Sequence, residues 1–248
     1  MKTDNDQFRD YGAHYDATEH WPLRSQLEAP SFLAVLGDLT GLSILDAGCG
    51  SGFYLRRYAQ VHAGRLIGVD PSEGMLAVAR AQAETAGLET TFVQAGLAEA
   101  GLLGPVDLVT AVYVLPYATA WDELAAMCRG AAAALRPGGR FVTFALNPEF
   151  AADPDYYRPY GFTLDAKLER AEGQPVVLTS HLFDPPAQVV AHRWSRQAHD
   201  DALRDAGFRS ITWIAPTPTD AGIAEHGAAF WADYLNCPHA LIISADRP

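Results

Sequence analysis

Beyond residue 38, short apolar runs alternate with stretches whose apolar positions recur at helical spacing. Runs at 42–46, 65–69, 90–94, 106–112 and 140–146 predict strands, and 53–62, 73–86 and 121–135 predict the helices between them. Ahead of these, Leu27, Phe32, Val35 and Leu36 give residues 24–38 helical spacing. Ser72 suits an N-cap and Gly87 a helix end. Arg136-Pro137-Gly138-Gly139 reads as a turn. Such alternation predicts an α/β domain built on a mostly parallel sheet.

After Leu146 the pattern changes. Residues 147–175, rich in Pro and Tyr, read as irregular. Runs at 176–183 and 188–194, joined by Asp184-Pro185-Pro186-Ala187, predict a hairpin. A helix at 196–206, ended by Gly207, and a strand at 208–214 follow. Residues 215–236 read as a proline-rich loop with a short helix carrying Phe230, Trp231, Tyr234 and Leu235. The last strand is 240–244.

The chain has 248 residues, 49% hydrophobic, enough for one sizeable α/β domain with an elaboration. Its 18 basic and 30 acidic residues give a net charge of −12, with no basic stripe to neutralise phosphates, which argues against a DNA or RNA partner. Cys49, Cys128 and Cys237 are far apart and form neither zinc spacing nor a disulfide framework, as in a reducing cytoplasm. The polar stretch Met1–Gln7 is no signal peptide. No apolar run approaches the roughly 20 residues that span a bilayer. The expectation is a cytoplasmic protein acting on a small molecule, as monomer or homodimer, without a membrane.

The most informative stretch is Asp46-Ala47-Gly48-Cys49-Gly50-Ser51-Gly52, between the first strand and its helix. A glycine turn there lets a ligand lie against bare backbone, and Asp70, at the tip of the second strand, can hold two ribose hydroxyls. An adenosine-containing cofactor fits both. The glycines fall as Gly48-x-Gly50-x-Gly52, with Phe at 53, rather than in the G-x-G-x-x-G of dinucleotide sites. A carboxylate at Asp46 suits a cationic amino-acid end and repels a pyrophosphate. A nicotinamide dinucleotide, or a glycine turn with no ligand, are the competing readings of these residues alone.

D-x-G-x-G-x-G followed by Val69-Asp70-Pro71-Ser72 resembles class I S-adenosylmethionine-dependent methyltransferases. The resemblance implies a seven-stranded Rossmann-like sheet of order 3-2-1-4-5-7-6 with an antiparallel last strand. The chain then divides into an N-terminal lid and helix (1–38), a cofactor-binding core (39–146), a substrate-side insertion (147–195) and the rest of the sheet (196–248). Further segments, among them 109–118, 122–130, 135–143, Tyr160-Gly161-Phe162, Ala206-Gly207-Phe208 and 230–235, resemble toxoflavin-synthase-type N-methyltransferases. The cofactor implied is S-adenosylmethionine, with S-adenosylhomocysteine as product.

In this frame Asp46 orients the methionine end of the cofactor, with Ala47, Gly48, Cys49 and Gly50 approaching it by backbone, and Arg24 is a candidate partner for its carboxylate. Asp70 and Pro71 serve the ribose. Met75 resembles the family's adenine-packing residue. Ala95, Gly96 and Leu97 face the adenine, although Gly96 stands where many relatives carry Asp; Glu99 is a candidate substitute. Ala111 and Val112 end the fourth strand beside the turn, and Tyr11 belongs to the lid. Candidate catalytic or acceptor-orienting residues are His14, Tyr15, Tyr117, Asn147 and His181. His181 alternates with Ser180 and Leu182, so one of these two faces points inward. Trp194 and Trp231 belong to the core or stack on an acceptor. No acid ends the fourth strand, so no metal is expected. The acceptor expected is a flat heterocycle methylated at nitrogen in bacterial secondary metabolism. O- or C-methylation of a phenol, indole or acid, and a cofactor-binding protein without turnover, are the alternatives.

Overall fold

The computed structural model describes residues 18–166 and 169–248. Its centre is a seven-stranded sheet. Strands β1 (Ile44–Ala47), β2 (Leu66–Asp70), β3 (Thr90–Gln94), β4 (Val106–Val112) and β5 (Leu135–Leu146) run parallel. The order is β3-β2-β1-β4-β5, followed by β10 (Ala240–Asp246) and β9 (Arg209–Ile214), with β10 antiparallel to both its neighbours. This is the expected 3-2-1-4-5-7-6 topology, and it places the switch point between β1 and β4.

The sheet is covered on both faces, which explains why its strands read as apolar runs rather than alternations. Ile44, Leu108, Val142 and Phe144 pack towards α1 (Ala29–Leu36), α2 (Phe53–Gln60) and α3 (Glu73–Thr85). Leu45, Val109, Phe141 and Ala145 pack towards α4 (Trp121–Ala134) and α5 (Arg196–Asp205) on the other face. Ser72 caps α3 by accepting from the Met75 amide.

Arg136-Pro137-Gly138-Gly139, expected as a turn, is taken into the start of β5, and two longer segments differ from the sequence expectation. The stretch 147–175 is not irregular: it holds a 3₁₀ helix (Pro154–Tyr160) and a strand, β6 (Phe162–Ala166). The 3₁₀ turn buries Tyr157 and Tyr160, three residues apart, a spacing easily missed among prolines. β6 joins β7 (Gln174–Ser180) and β8 (Ala187–Arg193), so the expected hairpin becomes a three-stranded antiparallel sheet. Asp184-Pro185-Pro186 lies in its connection. Residues 215–236 carry two helices, α6 (Asp220–His226) and α7 (Ala228–Asn236), split by Gly227.

The small sheet sits over the carboxyl end of the large one. Phe162, Leu164 and Val176 share a core with Leu23, Leu27, Leu146, Tyr157, Trp231 and Tyr234. Among the described residues no helix is long and apolar enough to cross a membrane.

Candidate active site

The turn after β1 is built by backbone. Gly48 has φ +63°, and a Cβ there would stand 2.5 Å from Val114 Cγ2; Gly50 has φ +54°. Only glycine fits such a turn without strain. The Gly50 N–H donates to Asp70 Oδ2 at 2.9 Å, and the Ser72 N–H to Asp70 Oδ1 at 2.8 Å. Asp70 thus ties the first turn to the second. Each of its oxygens keeps a further lone pair for a ligand hydroxyl. Burial still raises its carboxyl above the ordinary range, against these two amide bonds.

Asp46 is buried and fully surrounded by protein. Thr110 Oγ1 donates to its Oδ1 at 2.7 Å. Burial, with a smaller contribution from the Asp70 charge, pushes it up to about 7. A cation placed beside it would reverse that cost. Met75 is buried under the turn, its Cε 3.9 Å from where a Gly50 Cβ would lie. Arg24 reaches across from the N-terminal segment and covers the Phe53 ring at 4.1 Å.

Other expected cofactor contacts are engaged by the chain itself. The Gly96 N–H donates to Glu99 Oε2 at 2.9 Å, so that amide is already engaged. The Pro71 carbonyl accepts from Gln94 Nε2. The Ala111 carbonyl accepts from Thr143 Oγ1 at 2.6 Å, and Ala111, Ala47 and Leu97 are buried. Ala95 is half-buried. Val112 lines the cavity described next.

A cavity of about 180 Å³ opens at the carboxyl end of β4. The small sheet makes its apolar wall by register. Phe162 pairs with Ser180 and Ser180 with Ala187; Leu164 pairs with Leu178 and Leu178 with Val189; all six line the space. Trp21, Tyr54, Pro116, Tyr117 and Leu146 close it from the other side.

Its floor is polar, and sequence reading passed over most of it. Residues Arg24–Glu28 form a π-helical stretch, which brings Arg24 and Glu28 to the same cavity. Tyr113 follows β4 with φ +58°, a conformation that non-glycine residues rarely adopt and that clusters at functional sites. Its hydroxyl donates to Glu28 Oε1. His239, just ahead of β10, has Nε2 3.2 Å from the Tyr113 hydroxyl and Nδ1 2.8 Å from the Tyr234 hydroxyl. Burial lowers His239 to about 3 and raises Glu28 to about 7, the latter against the Tyr113 bond and the Arg24 charge. The ring is therefore neutral, and its 3.8 Å approach to Glu28 is not an ion pair. Tyr234 has no other acceptor among the described hydrogen bonds, so it donates to Nδ1. That assigns the imidazole proton to Nε2, donated to Tyr113, which donates to Glu28. Three donors in line end on one carboxylate.

Two expected acceptor-orienting residues lie elsewhere. Asn147 spends both ends of its amide on backbone: Nδ2 donates to the Pro238 carbonyl at 2.7 Å and Oδ1 accepts from Glu149 N–H. Leu146 takes the inward position, and parity turns Asn147 away. Its main-chain N–H donates to the His239 carbonyl, so it holds the floor in place. His181 is exposed, 3.4 Å from Thr163 Oγ1, while its neighbours Ser180 and Leu182 face the cavity. Trp194 and Trp231 are core residues, donating to the Ala118 and Gly222 carbonyls. Tyr117 does line the cavity. Tyr11, His14 and Tyr15 lie outside the described residues. The signals available for Glu28 and His239 were slight: an acid four residues after Arg24, and a His one residue before the last strand.

The turn, the two acids and the crossover at β1 and β4 coincide with a family match. Residues 44–139 match the model of the methyltransferase domain. They are a methyltransferase domain. The fold of the described chain is that of class I S-adenosylmethionine-dependent methyltransferases. A Mesorhizobium loti structure described as an S-adenosylmethionine-dependent methyltransferase is 26% identical, covering 92% of this chain and 99% of its own at a TM-score of 0.63. Streptomyces venezuelae DesVI shares the fold at a TM-score of 0.68 with 18% identity, over 96% and 99% of the two chains. The curated relatives match over less than half of the chain. A ubiquinone biosynthesis O-methyltransferase of Methylobacterium is 34% identical over 110 residues, 44% of this chain and 43% of its own. A demethylmenaquinone methyltransferase of Lactococcus lactis is 37% identical over 115 residues, 43% of each. The chain thus spans less than half the length of these relatives. The cavity wall from the small sheet lies outside the matched methyltransferase domain.

Proposed function

We propose that this chain transfers a methyl group from S-adenosylmethionine to a small, flat, largely apolar acceptor seated in the cavity. The observation that carries this reading is the position of the buried acids Asp46 and Asp70. Asp46 leads from β1 into the glycine turn at the switch point and Asp70, at the end of β2, accepts from that turn, next to a cavity walled by apolar side chains. Asp70 accepts the ribose hydroxyls. Asp46, costly as an isolated buried charge, is offset by the cationic end of the cofactor. Arg24 pairs with the cofactor carboxylate, the Gly48–Gly50 backbone forms the floor of that subsite, and Met75 packs on the adenine. Bound S-adenosylmethionine supplies an electrophilic methyl carbon on sulfonium. The protein's part is to align the acceptor with that carbon and to keep water out.

The acceptor atom is one that carries a proton at neutral pH, a phenolic hydroxyl or a ring N–H, because a carboxylate faces the cavity. The ring nitrogen is the sequence expectation; the O-methyltransferase named among the relatives favours the hydroxyl. Calorimetric titration with S-adenosylhomocysteine, with NAD in parallel, tests the cofactor. Micromolar thioether binding and no NAD binding is expected, and the reverse refutes the reading. A panel of phenols and N-heterocycles with methyl-labelled S-adenosylmethionine then tests transfer; thioether binding with no transfer to any of them favours a non-catalytic binding protein.

A further inference from the structure

We propose that Glu28 is the general base of this methyl transfer, accepting the proton of the acceptor hydroxyl or N–H, and that Tyr113, His239 and Tyr234 position it. The inference rests on the methyl-transfer reading above. Glu28 is 4% exposed, lines the cavity, and among the described residues makes its hydrogen bonds through Oε1 alone. Oε1 is fixed by Tyr113, which is itself fixed by His239, leaving Oε2 for the acceptor. A carboxylate held this way has a set orientation without a proton donor to spare, since the neighbouring phenols are themselves pushed upward by burial and stay protonated. His239 cannot serve: its one lone pair, on Nδ1, is taken by Tyr234 and points away from the cavity.

The step balances. The acceptor's heteroatom forms a bond to the methyl carbon with its lone pair, and its proton passes to Glu28. The carbon–sulfur bond breaks with its electron pair going to sulfur, which becomes a neutral thioether. The proton leaves Glu28 to water when product departs. Among the described residues, the groups facing Glu28 are Arg24 on its own helical stretch, Tyr113 after β4 and His239 ahead of β10, with Tyr234 of α7 behind the imidazole. Raised to about 7, the carboxyl is poised near neutral pH, where a base is both ionised and strong enough to matter.

The test pairs a titration with turnover. Infrared difference spectra of the whole protein between about pH 5 and 9 should show protonated-carboxyl intensity titrating near neutrality from both Asp46 and Glu28, and the Glu28 contribution, isolated by subtracting the Glu28→Gln spectra, should titrate near 7. With simple phenols as acceptors and labelled S-adenosylmethionine, Glu28→Gln should lower kcat by about 100-fold or more while leaving S-adenosylhomocysteine affinity within a factor of about two. Tyr113→Phe should shift the acidic limb of the pH profile rather than abolish transfer. A Glu28 band that titrates in the ordinary carboxylate range overturns the assignment whether or not any probe turns over. Equal kcat in wild type and Glu28→Gln overturns it too, and leaves methyl transfer standing. Failure of S-adenosylhomocysteine to bind the wild type overturns the parent reading instead.

Discussion

Replacing Asp46 by Asn should stabilise the ligand-free protein and weaken its cofactor binding, and the size of the first effect follows from burial. The folded protein holds this carboxyl at about 7, against an ordinary value of 3.8. A raised carboxyl binds its proton more tightly in the folded state. The favourable contribution is complete below the ordinary value and is lost as pH rises through about 7. Each pH unit inside that window costs about 1.4 kcal/mol. From pH 5 to pH 8 the window spans about two units, so wild type should lose roughly 2.5–3 kcal/mol that Asp46→Asn does not lose. Glu28 titrates in the same range, and the buried His239 opposes it at lower pH, but both are shared by the two proteins and cancel in the difference. Asn keeps an oxygen for the Thr110 hydroxyl, so that hydrogen bond survives the substitution. Urea unfolding of both proteins at several pH values reads the quantity directly. A stability difference that is flat between pH 5 and 8 refutes the reasoning, because it means the carboxylate is solvated or paired in the ligand-free state. The same substitution should weaken S-adenosylmethionine about 10- to 100-fold at pH 8, by loss of a charge-assisted contact of about 1.5–3 kcal/mol.

Asp70→Ala should cost about 2 kcal/mol or more of S-adenosylhomocysteine affinity by calorimetry, and should also lower the melting temperature, since the Gly50 and Ser72 amides lose their acceptor. Gly48→Ala forces a Cβ into Val114 at a positive φ and should destabilise the protein by about 1–3 kcal/mol in urea melts, with weaker cofactor binding. Leu178→Trp narrows the apolar wall and should leave S-adenosylhomocysteine affinity unchanged while reducing transfer to the phenol panel by tenfold or more; equal transfer would place the acceptor outside this cavity.

The sequence by itself determined the large sheet. Strands buried on both faces must be nearly all apolar, and the helices between them must be amphipathic, so Leu42–Asp46 and its successors announce the elements, while their order in the sheet was implied by the family resemblance. The glycine turn and Asp70 were legible for a related reason: positive φ at Gly48 and Gly50, and an acid at a strand tip, are local demands that a few consecutive residues satisfy alone. The small sheet was only half legible, because β6 hides behind a tyrosine-rich 3₁₀ turn whose packing is with distant α7. The fates of Asn147 and His181 turned on strand parity at the mouth of the cavity, which one residue of register decides. Glu28, Tyr113 and the Tyr234–His239 pair come from three separate parts of the chain, and no spacing links the three. Only the tertiary structure sets a π-helical stretch, a strained tyrosine and the start of the last strand around one carboxylate. Burial, a property of the assembled fold, then gives that carboxylate the proton affinity a catalyst near neutral pH requires.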